Sequence, residues 1–340
     1  MRSKRLVPPG LTYLAENITT RHNILGAAPR QRARWAQDLG LRGEAETMFF
    51  SGCGYQYAAD LEALTSLIRR LDRSPVGLDL PMRFANFQKK LGPDLAGIYR
   101  KVLSRDGSAE AAPLKDAVSV LRHLGIDFGY LGEREPCCGA PLYFAGMQQR
   151  FAENARQTSR RLKDAGARRI ISIVPSCTQA LRSLFPQCVP DFDLEVRHFL
   201  EVLDEGLGRL KLRFPREVKV VYHDPCQLTR YLGITEEPRR ILRAIRGVQL
   251  LEPEWTGGVM ATCCGGGGGF EAVFPELSGT LAANRVRELA ATGADIIVTH
   301  CPGCILQLES GRKALGLDNI EVLDLVQVVA RALEGGNDAA

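Results

Sequence analysis

The chain has 340 residues, 45% of them hydrophobic, and its 44 basic and 39 acidic side chains leave a net charge of +5. That is apolar material enough for two domains of ordinary size, and charges this well mixed, with no long basic run, exclude a nucleic-acid face. Pro8, Pro9 and Gly10 follow the charged start where a secretory signal would be apolar. With no run near the ~18 apolar residues of a spanning helix, the expectation is a cytoplasmic protein that meets a membrane only through a partner.

In chain order, residues 1–45 read as a linker or docking segment. The run Thr47-Met-Phe-Phe50 is strand-like and enters Ser51-Gly-Cys53. A helical pattern with Leu61, Leu64, Leu67 and Ile68 follows. Ile126–Leu131 is strand-like and leads to Cys137-Cys138-Gly139. A polar helix from about Gln148 to Ala165 passes through Gly166 into the strand Ile170–Val174, which ends at Pro175-Ser-Cys177.

The second half repeats this order. The strand Val218–Tyr222 runs into His223-Asp-Pro-Cys226, and a helix with Arg239, Ile241, Leu242 and Ile245 precedes a strand at Val248–Leu251. Cys263-Cys264-Gly265 opens a glycine run to Gly269. An amphipathic stretch, Leu281 to Ala291, leads into the strand Ile296–Thr299 and then Cys301-Pro-Gly-Cys304. Strands alternating with helices of this length imply parallel βαβ units, so the fold class is α/β in two related halves. The boundaries fall at 46–210, with an insertion near 75–118, and at 211–335. In such sheets functional residues gather in loops at the carboxyl ends of strands, where all the repeated cysteines lie.

Spacing supports the repeat. Cys264 and Cys304 are 40 positions apart, Cys138 and Cys177 39. From Cys226 to Cys263 is 37 positions but from Cys53 to Cys137 is 84, and the excess of 47 is the insertion. Ten cysteines in a large chain with no secretory signal imply metal or redox chemistry rather than a disulfide framework. Thiolate sulfur suits iron–sulfur clusters and zinc alike. Pro302 and Gly303 favour the tight turn that aims two sulfurs at one centre. Adjacent Cys263 and Cys264 share a centre only if the backbone bends, which Gly265 permits. The glycine run lacks the Gly-Lys-Ser/Thr ending of a phosphate cradle, leaving a flexible loop or room for a bulky inorganic group.

The order Cys226, Cys263-Cys264-Gly265, Cys301-x-x-Cys304 resembles the CCG signature of the heterodisulfide reductase B-type subunits. It is also similar to iron–sulfur subunits of glycolate and lactate oxidation and of sulfite-reductase-associated complexes. His223-Asp-Pro-Cys and Thr292-Gly-Ala-Asp-Ile-Ile-Val strengthen the likeness, which spans about residues 11 to 330. It implies a noncubane [4Fe-4S] cluster on Cys226, Cys263, Cys264, Cys301 and Cys304, placed where a disulfide is reduced or formed. The first copy departs from the pattern, because Val174 stands where Cys301 does. Its four cysteines, Cys53, Cys137, Cys138 and Cys177, match the usual number for a cubane [4Fe-4S] cluster; a modified noncubane cluster and an empty site stay open. Structural zinc, with four ligands, is the competing reading. Cys188 has no counterpart and reads as a buried or incidental thiol.

His223 and His300 each adjoin a cysteine loop, either to bond a cluster sulfur or pass a proton or to cap a strand end. Arg230 and Tyr231 follow Cys226 closely enough to face its pocket. Arg30, Arg32 and Arg34 read as a solvated face. No cysteine precedes Cys53, whereas larger relatives carry a ferredoxin-like module there. The resemblance therefore implies electrons from a separate ferredoxin-like iron–sulfur subunit and a flavin subunit, with a disulfide or thiol as substrate. A relay subunit without its own substrate, and a zinc-stabilised binding module, are the alternatives.

Overall fold

Runs of consecutive buried residues mark the strands Thr47–Phe50, Arg169–Ser172 and Ile296–Thr299, because a parallel sheet is covered by helices on both faces. In a computed structural model that describes residues 9–58, 60–61 and 111–337, Thr47–Phe50 (β1) is buried along its whole length. It pairs in parallel with Arg169–Ser172 (β2), which pairs in parallel with Glu195–His198 (β3). The second sheet holds Arg213–Tyr222 (β4), Arg246–Leu251 (β5), Ile296–Thr299 (β6) and Glu321–Asp324 (β7), all parallel, in the order β5-β4-β6-β7. A matching edge exists in the first sheet. There Phe49 N donates to Gly129 O at 2.8 Å and Gly129 N to Thr47 O at 2.9 Å, so one glycine stands beside β1 where β5 stands beside β4. The two sheets thus share one topology, as the repeat predicts.

Strands β3 and β7 close the two sheets and go beyond the elements read from the sequence. Leu194-Glu-Val-Arg-His198 and Ile320-Glu-Val-Leu-Asp324 are a further pair of matching strings. Each ends in a residue that caps the next helix. His198 Nδ1 accepts from Leu200 N at 3.2 Å, and Asp324 Oδ1 from Val326 N at 2.9 Å. The insertion at 75–118, and Leu64, Leu67 and Ile68, lie outside the described residues except from Ala111 onward, where the helix Ala112–His123 begins.

The closing helices cross over. Phe199–Gly206, which follows β3, packs on Glu237–Arg243 of the second half, and Leu325–Asn337, which follows β7, packs on Ala112–His123 of the first. Fully buried Leu114, Val118 and Leu121 share one core with Val326, Val328 and Val329. Each such side chain contributes about 1.5–3 kcal/mol by leaving water. Arg240 pairs with Asp204 at 2.6 Å on the other crossing. The same exchange recurs at the cysteine end. Residues Gly52–Gln56 meet the helix Pro302–Ala314, and Pro175–Gln179 meets the turn Gln227–Tyr231. Gly54 approaches the other half tightly: a Cβ there would lie 2.5 Å from Pro302 Cγ. The two halves therefore present their cysteine loops to one another across a pseudo-twofold interface.

Segment 9–45 belongs to this packed body. The helix Pro9–Arg21 buries Ala15, Asn17 and Ile18, and Trp35 lies in the core against Phe49 and Tyr130. Among the described residues no helix is long and apolar enough to cross a membrane.

The helix bearing Cys304 crosses Pro275–Ala290 at Gly311, where a Cβ would lie 2.7 Å from the Ala282 carbonyl oxygen. Backbone cannot retreat as a side chain can. Gly311→Ala is expected to cost about 1–3 kcal/mol, read as a lowered urea midpoint; an unchanged midpoint would show that the crossing is looser than this.

Candidate metal centres

All ten cysteines are free thiols. In the second half the glycines decide how five of them meet. Gly265 holds φ +83°, and a Cβ there would lie 2.4 Å from Ser278 O, so the chain turns at once after Cys264. Ser278 Oγ donates to Gly265 O at 2.6 Å and fastens that turn to the helix below. The bend separates the neighbours: Cys263 is exposed and Cys264 buried, with Gly265 N donating to Cys263 Sγ at 3.3 Å. Gly267, Gly268 and Gly269 also hold positive φ, so the run is a defined turn rather than a featureless loop. Pro302 at the first helical position starts Pro302–Ala314 immediately after extended Cys301. One turn in, Cys304 Sγ lies 3.3 Å from Cys264 Sγ. Cys226 and Cys301 are half-buried.

The sulfurs govern one another's charge. Cys264 is held well below the usual thiol range by its contacts with Cys263 and Cys304 and then by the nearby His223 ring, against the opposing effect of burial. Cys304 is driven up by its contacts with Cys264 and Cys301. Burial, then charge on Cys301 and Cys264, raises Cys226. Thiols that resist joint ionisation, around a glycine turn without side chains, suit a cationic centre that lets them ionise together.

Five residues frame this centre. His223 directly follows β4, its N–H bonded to Val298 O at 2.8 Å. Its ring is buried, and its ligating nitrogen lies with Cys264 and Cys304 Sγ in a group whose atoms are all within 4.8 Å of one another. Arg285 Nε donates to His223 Nδ1 at 3.0 Å. Buried Asp224 takes a two-pronged contact from Arg239 (2.8 and 2.9 Å) and a bond from Gly258 N at 2.8 Å, tying the Cys226 loop to the segment ahead of Cys263. Arg230 does likewise through Val259 O at 3.0 Å and Ala261 O at 2.7 Å, whereas Tyr231 is exposed. Sequence reasoning foresees neither Arg285 nor the Asp224–Arg239 pair. Arg285 had a signal: it occupies an apolar register with Ala282, Val286 and Leu289 on one helix face, where a charge needs a reason.

His300 is placed differently. Its Nδ1 is 2.7 Å from Asp324 Oδ1, and the other oxygen of Asp324 accepts from Tyr55 OH, two residues past Cys53. The ring sits between His198 and Phe199, wholly buried where the halves meet.

In the first half all four thiols are buried. Cys138 and Cys177 Sγ are 3.1 Å apart, and Cys53 and Cys137 Sγ 3.9 Å. Cys53 is pushed well above the usual thiol range by contact with Cys137 and then by burial. Asn154 and Thr158 both donate to Cys137 O at 2.9 Å and hold the adjacent cysteines in place. Val174, also buried, fills the place of Cys301: a Cβ on Gly52 would touch Val174 Cγ2 at 2.8 Å and Cys177 Sγ at 3.0 Å. Half-buried Cys188 bonds to Leu184 O and takes no part. Arg30 and Arg34 are exposed as expected, but Arg32 is not. It is buried, donates to His22 O at 2.7 Å, and is charge-coupled to Cys53 and Glu135. A single carboxylate and a thiol cluster explain why one arginine of the three turns inward.

An α/β chain with two cysteine clusters at the carboxyl ends of duplicated parallel sheets defines a cysteine-rich metal-site class of protein. Residues 103–182 and 220–309 both match the cysteine-rich domain family model, CCG, and the chain belongs to that family. It is 35% identical over 220 residues to the D subunit of the dihydromethanophenazine:CoB–CoM heterodisulfide reductase of Methanosarcina mazei, covering 63% of this chain and 53% of that protein. It is 33% identical over 227 residues to an EtfAB:quinone oxidoreductase of Syntrophomonas wolfei, covering 64% and 31%. The chain thus spans about half the length, or less, of these relatives. A solved structure of a hypothetical protein from Helicobacter pylori shares the fold, with TM-score 0.51 at 15% identity over 67% of this chain and 48% of that one.

Glu135 accepts from Ser51 N at 2.9 Å, Gly52 N at 3.1 Å and Gln56 Nε2 at 2.7 Å, yet burial outweighs these bonds and raises its carboxyl to about 7. A carboxyl raised in the folded state favours folding below its unfolded value near 4.5, and that contribution is lost as pH climbs to about 7. Glu135→Gln should flatten the metal-free chain's loss of stability across this window, by on the order of 3 kcal/mol. Urea titrations at about pH 5 and about pH 7.5 span that window and read the difference; parallel losses in both proteins would refute the assignment.

Proposed function

We propose that the chain is the iron–sulfur, disulfide-handling subunit of a heterodisulfide-reductase-like oxidoreductase. Cys226, Cys263, Cys264, Cys301 and Cys304 would hold a noncubane [4Fe-4S] cluster, and Cys53, Cys137, Cys138 and Cys177 a second [4Fe-4S] cluster. One observation carries the division of labour: the N-terminal set is buried throughout, whereas Cys263 is exposed and Cys226 and Cys301 are half-buried. A closed cluster relays electrons; a disulfide needs an open one. Relatives named as a heterodisulfide reductase and as an iron–sulfur-binding oxidoreductase support the class.

Bound at the open set, a cluster supplies single electrons and a soft iron able to take a thiolate. Cleaving a disulfide to two thiols consumes two electrons and two protons. The chain's own residues do the holding. The glycine turn puts no side chain of its own beside Cys263, and Asp224 with Arg239 fixes the base of the Cys226 loop. His300, committed to Asp324, is assigned to the junction between the halves rather than to substrate. Trp255, Val259 and Met260, exposed in the segment leading to Cys263, suit a face covered by a partner subunit. The partners in this reading are a separate ferredoxin-like subunit and a flavin subunit.

Anaerobically purified protein should contain about eight irons per chain with matching acid-labile sulfide. An EPR signal that changes on adding a thiol or disulfide is expected from the C-terminal set, and Cys264→Ala should abolish that signal while sparing the N-terminal one. Iron without a thiol response would favour a pure relay subunit; zinc in place of iron would overturn the redox reading.

A further inference from the structure

Arg285 lies outside every cysteine motif, yet its side chain is fully buried beside the open cluster. Its Nη1 bonds to Thr256 Oγ1 and Glu288 Oε2, each at 2.9 Å, and to Thr262 Oγ1 at 3.3 Å, which anchors the guanidinium. A further contact, Nε to His223 Nδ1 at 3.0 Å, is chemically one-sided. A guanidinium has only N–H donors and no acceptor. Nδ1 of His223 must therefore offer a lone pair, and the ring's proton must sit on Nε2. A doubly protonated ring would set N–H against N–H and cation against cation.

This decides what the buried Nε2 can do. It has no hydrogen-bond partner, and the ring lies in one group with the Cys264 and Cys304 sulfurs, the ligating atoms all within 4.8 Å of one another. As a bare nitrogen it would complete a Cys-Cys-His metal set. As an N–H it can only donate.

We propose that Arg285 is a positioning residue that locks His223 as its Nε2–H form, so that His223 donates a hydrogen bond to the Cys264 sulfur and is not itself a metal ligand. The inference rests on the reading of the C-terminal cysteines as cluster ligands. A donor aimed at a cluster sulfur stabilises the more negative, reduced state and raises the potential. Arg285 acts through the ring: its own hydrogen bonds go to His223, Thr256, Thr262 and Glu288.

The test begins on the metal-free full chain with 15N-labelled histidine, using two-bond proton–nitrogen spectra. The His223 signal, identified by its loss in His223→Gln, is expected to show a protonated Nε2 and a bare Nδ1. In Arg285→Met the same ring should become a mixture of forms. In cluster-loaded protein, Arg285→Met and His223→Phe should each shift the C-terminal cluster's midpoint to more negative potential, and the double substitution should shift it no further than the larger single change. Arg285→Lys should recover part of the shift. A wild-type ring protonated at Nδ1 or at both nitrogens, or potential shifts that add, would overturn the proposal. The wild-type spectrum decides the tautomer even if Arg285→Met does not fold. Failure to load iron would count against the cluster reading alone, since the spectrum needs no cluster.

Discussion

Everything at the cysteine end depends on the exchange of helices between the two halves. Phe199–Gly206 and Leu325–Asn337 each pack on their own sheet and also on a helix of the other half, so two sheets of only a few strands share one large core. Small sheets bury little by themselves. Sharing the helical layer supplies the missing area and, in the same act, fixes the angle at which the two sets of strand ends meet. Gly54 against Pro302 and the Tyr55–Asp324–His300 chain are the steric and polar seams of that junction. Movement of one half would be felt at both clusters.

Within this frame the halves solve one problem with different chemistry. Where the second half has Asp224 gripping Arg239 from below the Cys226 loop, the first has Ser51, whose backbone and hydroxyl lean on Glu135. Glu135 in turn is charge-coupled to Arg32 rather than paired with it at close range. Where the second half opens through Cys263 and a glycine run, the first closes over Cys137 with Gly139, Ala140 and Leu142, all buried. A valine for a cysteine at position 174 is part of the same closure: it exchanges a thiol for packing next to Gly52.

Five strands, the repeat and the order of the cysteines were legible because each rests on local order: short apolar runs, glycine at turns, cysteines at fixed offsets; Ile126–Leu131, also strand-like in sequence, forms only the bridges at Gly129. What escaped was set by distant partners. Strands β3 and β7 are short, and half of each is charged; only the second copy of the string reveals them. Arg32 looks solvated among its neighbours, and only Cys53 and Glu135, far along the chain, explain its burial. His223 and His300 are indistinguishable in sequence, since each borders a cysteine loop. A residue 62 positions away, Arg285, aims the first at sulfur, and one 24 positions away, Asp324, turns the second toward the seam.

The crossed helices carry one more implication. Divided between the sheets, either half would be left with two uncovered apolar faces, its closing helix and the helix meant to receive its partner's. Two copies of the same half would cover all of them at once about a twofold axis. The chain carries two copies of one domain joined end to end, and the joining matters chemically. In a true homodimer every substitution is made twice, so a cysteine could not give way to Val174 on one side while Cys301 stayed on the other. Covalent fusion is what allows one set of cysteines to be sealed and its twin left open.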